Sequence, residues 1–96
     1  MQVIKRDGTV VDYDRAKIAV AIGKANAEME AQERASGEEI ESILSYIEGK
    51  KKKRMLVEDI QDIIEEKLMD QGHYELAKTY IIYRYNRALV RKANTT

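Results

Sequence analysis

The sequence predicts an α+β domain, a four-helix bundle capped by a small three-stranded β-sheet. Three observations lead there. Near the start, an Asp7-Gly8 pair separates two β-prone runs. Farther on, four stretches repeat apolar residues at helical spacing. Between the second and third of these lies Met55-Leu56-Val57, too short for a helix of its own and suited to a third strand. Two or three short strands do not stand alone in water, whereas amphipathic helices can enclose one core. The strands are therefore expected to cap the bundle.

The first element is a hairpin. Val3-Ile4-Lys5-Arg6 runs into Asp7-Gly8, and Thr9-Val10-Val11-Asp12-Tyr13 runs out. Asp-Gly between β-prone runs signals a tight primed turn, in which both central residues take positive φ. Strand alternation puts Val3 and Lys5 on one face and Ile4 and Arg6 on the other. Cations on a short edge hairpin discourage edge pairing, but beside apolar residues they can also hold an anionic ligand.

Asp14 is a suitable N-cap for a helix from about Arg15 to Glu30, with Ile18, Ile22, Ala25 and Met29 as its apolar stripe. Lys17 sits near the positive end of that helix, where an anionic neighbour would favour it. Ser36 and Glu39 form a capping box for a second helix carrying Ile40, Ile43, Leu44 and Ile47 and stopping at Gly49. The run Lys50-Lys51-Lys52-Lys53-Arg54 follows, with no aromatic residue interleaved for base stacking. Glu58 and Asp59 open a third helix carrying Ile60, Ile63, Ile64 and Leu68, with Gly72 as its stop. The last helix is expected from about Tyr74 to Lys92, with Leu76, Ala77, Tyr80, Ile81 and Ala88 on its core side. Residues 1–92 thus read as one domain and 93–96 as a tail or linker.

Composition narrows the chemistry. Seventeen cations balance seventeen anions, so no global field favours nucleic acid or a membrane surface. There is no cysteine, hence no disulfide framework and no thiol nucleophile. No apolar stretch approaches the roughly 20 residues of a membrane span, and no secretory leader is recognisable, so a cytoplasmic setting is expected. His73 is the one histidine and reads as a turn residue; no nucleophile–base pair, Gly-rich phosphate loop or metal cluster stands out. The chain is therefore not expected to be catalytic. Anion binding is better supported. Lys5, Arg6, Lys17, Arg84 and Arg87 come from three elements that a cap-on-bundle fold brings together. A nucleoside triphosphate carries about three to four negative charges and suits several convergent cations, often with Mg²⁺. Val3, Ile18 and Ile60 can wall a base, and Tyr80 or Tyr83 can stack on one.

Three blocks in order carry a family resemblance: Val3 to Gly8 with Tyr13, Asp14, Lys17 and Ile18; Val57 to Glu65; and Tyr74 to Arg84. Together they resemble the ATP-cone domain over nearly the whole chain. The resemblance implies a regulatory module of ribonucleotide reductases that binds ATP or dATP, with Mg²⁺, and changes quaternary structure in response. It implies adenine nucleotides, the reductase catalytic domain or another subunit, and a ligand-dependent homo-oligomer as partners. By position, Lys5 and Arg6 resemble the phosphate-side cations, and Val3 and Ile18 the base-pocket walls, with Lys17 adding polar contacts. Gln61 stands at a sugar or phosphate contact, Arg87 near a late-helix phosphate cation, and Tyr13, Ile60, Tyr80 and Arg84 complete the candidate set.

Two departures from the family pattern stand out. Val11 replaces an acid, and Leu56-Val57 replaces a Ser or Thr at the start of the third helix. The family also includes a repressor of reductase genes with a cysteine zinc ribbon ahead of its cone. The motif's start at Gln2 and the lack of cysteine favour the reductase setting. The block Tyr80-Ile81-Ile82-Tyr83-Arg84 resembles the anaerobic ribonucleoside-triphosphate reductases. The rival readings are a DNA-binding or transcription-regulator module using residues 50–54, and a helical interaction domain without a ligand.

Overall fold

The chain, analysed as a computed structural model, is described over residues 1–93, with side chains through Arg84. Strands β1 (Gln2–Ile4) and β2 (Val10–Asp12) form the hairpin. Helices α1 (Arg15–Asn26) and α2 (Gly37–Gly49) follow, joined by a loop with a 3₁₀ turn at Ala31–Glu33. Strand β3 (Arg54–Leu56) leads directly into α3 (Val57–Asp70), and α4 (Tyr74–Ala93) completes the fold. This is the α+β architecture of four helices and a three-stranded sheet that the sequence predicts.

The hairpin turn differs from expectation. Lys5 N–H bonds to the Thr9 carbonyl at 2.8 Å, and Gly8 N–H to the Lys5 carbonyl at 2.9 Å. Gly8 has φ 87°, while Asp7 is not among the positive-φ residues. The loop is thus three residues long, a type I turn closed by a left-handed glycine, and not a two-residue primed turn. Asp7 contributes through its side chain instead. Its Oδ1 accepts from Thr9 N–H at 2.9 Å, which holds its carboxyl below the usual range.

Central strand β1 pairs antiparallel with β2 and parallel with β3. Register places Val11 and Met55 on either side of Val3. All three turn inward, and Val3 and Met55 join the helix core of Ile22, Ile43, Ile47, Ile64, Leu68 and Leu76. Sheet and bundle therefore share one interior, each buried aliphatic side chain contributing about 1.5–3 kcal/mol.

Helix ends follow local chemistry. Asp14 caps α1 by accepting from Ala16 N–H, as expected. The helix stops at Asn26 and not near Glu30. There the Asn26 amide donates to the Ala35 carbonyl at 2.9 Å and accepts from Ala35 N–H at 3.0 Å, fixing the return of the chain. The Ser36–Glu39 capping box is present at α2. Gly49 is the last residue of α2, and the left-handed reversal falls on Lys51 at φ 52°. At the end of α3, Gly72 takes φ 83°, with Gly72 N–H bonded to the Met69 carbonyl and His73 N–H to that of Leu68, a Schellman closure. Val57, expected in the third strand, is the first residue of α3. Ile81 is exposed and not on the core side of α4. The side chain of Ala88 lies outside the described residues.

Candidate functional site

The parallel pairing of β1 with β3 organises one corner of the molecule. Its register matches Gln2 to Arg54, Val3 to Met55 and Ile4 to Leu56. Beyond the last pair, β1 runs on into Lys5 and Arg6 while β3 turns directly into α3. The two hairpin cations therefore lie beside the N-terminus of a 14-residue helix. Leu56 occupies its N-cap and makes no side-chain cap, so no side chain of that residue satisfies the first backbone N–H groups. Such a terminus, with its partial positive charge, favours an anion. Here the departure at Leu56-Val57 has a structural consequence, because a Ser or Thr would occupy those donors.

One contact spans the corner directly: Arg6 Nε lies 3.2 Å from Glu58 Oε1. Lys5 is half-buried and is in no ion pair among the described residues. Val3 and Ile60 are buried in the core cluster and Ile18 packs against it, so the three apolar residues expected to wall a base all belong to the shared interior. Lys17 is exposed on α1 next to Ile18. Gln61 follows Ile60 on α3; its Oε1 is buried and has no hydrogen-bond partner among the described residues. A buried amide oxygen of this kind can accept from a ligand hydroxyl.

Other candidates have structural partners. The Tyr13 hydroxyl donates to Glu48 on α2 at 2.8 Å, and Arg15 bonds Glu48 at 3.0 Å and Glu41 at 2.8 Å. Burial and the Glu48 carboxylate push the Tyr13 hydroxyl well above the usual phenol range. In turn, the Tyr13 hydroxyl and Arg15 lower the Glu48 carboxyl. Tyr80 is buried in the core, which together with Glu65 pushes its hydroxyl up to about 12. Arg84 is paired with Glu65 and lies 3.6 Å from Asp62, so two α3 carboxylates balance its charge. Tyr80 and Arg84 thus belong to the α3–α4 seam. The side chain of Arg87 lies outside the described residues.

The basic run lines a different region. Lys51, Lys52 and Lys53 border a groove with Met1, Tyr13, Asp14, Arg15 and Glu48. Lys50 stands 4.9 Å from the centre of the Tyr46 ring, and Arg54 Nε donates to Gln2 Oε1 at 3.1 Å. No helix among the described residues is long and apolar enough to cross a membrane, and no cluster of three metal-ligating side chains occurs among them.

Sequence reasoning missed Glu58 as the partner of Arg6 and the Tyr13–Glu48–Arg15 group. The first follows from the parallel β1–β3 pairing, which ends at Ile4–Leu56 and leaves Arg6 beside the first turn of α3, and no local sequence signal gives that pairing.

Comparison of the sequence with known proteins gives its relatives. The family model described as the ATP cone domain matches residues 1–89. Over 105 residues the chain is 39% identical to the ribonucleoside-diphosphate reductase subunit alpha of Chlamydia trachomatis, covering 95% of this chain and 10% of that protein. It is 35% identical to the vitamin B12-dependent ribonucleoside-diphosphate reductase of Thermoplasma acidophilum, covering 95% of the chain and 12% of the relative. It is 32% identical to the anaerobic ribonucleoside-triphosphate reductase of Haemophilus influenzae, covering 94% and 13%. The chain therefore spans about a tenth of the length of the curated relatives it matches.

Proposed function

The chain belongs to the ATP-cone family, and from that premise we propose that it is the nucleotide-sensing regulatory module of a ribonucleotide reductase, binding ATP and dATP at the corner between the hairpin and α3. The observation that carries the reading is the β1–β3 register, which sets Lys5 and Arg6 beside the uncapped start of α3. Lys5 and Arg6 take the phosphates, with backbone N–H groups of α3 as further donors. Val3, Ile18 and Ile60 enclose the base, Lys17 adds a polar contact beside them, and the Gln61 amide faces the sugar. ATP and dATP differ by one hydroxyl, so a buried acceptor such as Gln61 Oε1 can distinguish them. Mg²⁺ would accompany the triphosphate and offset part of its charge.

Regulation requires that the nucleotide bind one arrangement of the domain better than another, since equal affinity shifts nothing. The partners in that change are the catalytic part of the parent reductase, another subunit or a second copy of the cone. The finer assignment, an anaerobic ribonucleoside-triphosphate reductase as parent, rests on the Tyr80–Arg84 block; the identity to the Haemophilus influenzae enzyme, 32%, is below the 39% and 35% of the chlamydial and vitamin B12-dependent reductases. The chlamydial and vitamin B12-dependent relatives fit the same module in other reductases.

Calorimetric titration with ATP and dATP, followed by sizing in each nucleotide, tests the reading. Saturable binding with a preference for adenine is expected. Binding that lacks base preference and weakens steeply with salt would favour the nucleic-acid reading through the Lys51–Lys53 groove. A titration without heat at any nucleotide concentration would leave a helical interaction domain.

A further inference from the structure

Arg6 is the hairpin cation best placed to meet phosphate, yet it already has an anion. Its Nε lies 3.2 Å from Glu58 Oε1, and the two side chains are 44% and 56% exposed. Glu58 stands in the first turn of α3, within the positive field of the helix terminus that the phosphates would use. One carboxylate thus pairs with the Arg6 guanidinium and stands in the field of the helix end, the same two features the proposed site offers a phosphate. We propose that Glu58 is an internal competitor for the phosphate subsite, and that the Arg6–Glu58 pair is the contact a nucleotide displaces on binding.

The inference rests on the nucleotide reading above and deepens it. An ion pair this exposed is weak, so it biases the empty state without blocking a polyanion. When Arg6 exchanges the carboxylate for phosphate, Glu58 loses its counter-charge beside a negative ligand. Its side chain then turns from the corner to solvent. The link from hairpin tip to α3 is therefore present in the empty domain and absent in the loaded one, which gives the ligand two arrangements to discriminate. Lys5, half-buried and in no ion pair among the described residues, meets the ligand without such an exchange.

The test is a double-mutant cycle on ATP affinity using the wild-type chain, Glu58→Gln, Arg6→Ala and the double variant, each checked by circular dichroism. Both side chains are solvent-exposed, so the fold is expected to persist. Glu58→Gln should tighten ATP binding by about two- to fivefold, the scale of an exposed ion pair. The same change on the Arg6→Ala background should tighten it less. No tightening in Glu58→Gln, with ATP still bound by the wild type, would overturn the competitor role and leave the nucleotide site standing. Equal tightening on both backgrounds would also overturn it, showing plain repulsion between Glu58 and phosphate. Absence of ATP binding in both wild type and Glu58→Gln would overturn the nucleotide site itself, and the competitor with it.

Discussion

His73 Nε2 lies 2.9 Å from Glu39 Oε2, and that pair ties the turn between α3 and α4 to the first turn of α2. Glu39 is held from several directions. Its other oxygen closes the capping box on Ser36 N–H, and its backbone carbonyl accepts from Gln71 at 3.2 Å. The Ser36 bond first, and His73 second, hold its carboxyl below the usual range. A carboxyl depressed in the fold stabilises it above the unfolded value of about 4.3 and loses that contribution as pH falls through the folded value. Stability measured by denaturant titration should therefore decline in acid, and Glu39→Gln should flatten that decline. Ser36→Ala should cost about 1 kcal/mol at neutral pH.

Lys51 ends the turn after α2 with a left-handed backbone, φ 52°. A side chain in that region is strained, while glycine is not, though glycine costs more chain entropy. Lys51→Gly should raise stability by about 0.5–1 kcal/mol, read as a higher denaturant midpoint at unchanged slope.

Ile64 is 1% exposed at the centre of the shared interior, whereas Ile82 is 52% exposed on α4. Ile64→Ala should destabilise by about 2–5 kcal/mol through lost burial and a cavity. Ile82→Ala should stay within about 0.5 kcal/mol of wild type. Chemical denaturation of the two variants side by side checks which face of each helix lies in the core.

Much of this was legible in the sequence because its signals are local. The Asp14 cap, the Ser36–Glu39 box and the Gly72 stop each depend on a few neighbouring residues, and all three are present. The hairpin loop was not, because Asp-Gly fits both a two-residue primed turn and the three-residue form, and only pairing across the strands decides between them. The end of α1 depended on Asn26 meeting Ala35, a contact made by the return of the chain. In the candidate site, apolar periodicity brought Val3, Ile18 and Ile60 to one cluster. Charge partners were harder to read. Arg84 looked available from its spacing, but Glu65 and Asp62 face it from a neighbouring helix, and Tyr13 is tied to Glu48 across 35 residues.

Lys5 offers the cleanest mutational test of the nucleotide corner, since no ion pair among the described residues must be broken to use it. Lys5→Ala should weaken ATP binding by about 1.5–3 kcal/mol, the scale of one charged hydrogen bond. Calorimetry on the folded variant reads the change.

The most direct measurement is a map of backbone amide chemical shifts during ATP titration of the isotope-labelled chain. The shifts are expected to concentrate at Val3–Arg6, Lys17–Ile18 and Val57–Gln61, the residues of the hairpin, α1 and α3 assigned to the nucleotide. Shifts confined to the Lys51–Lys53 groove, or none at saturating nucleotide, would contradict that assignment.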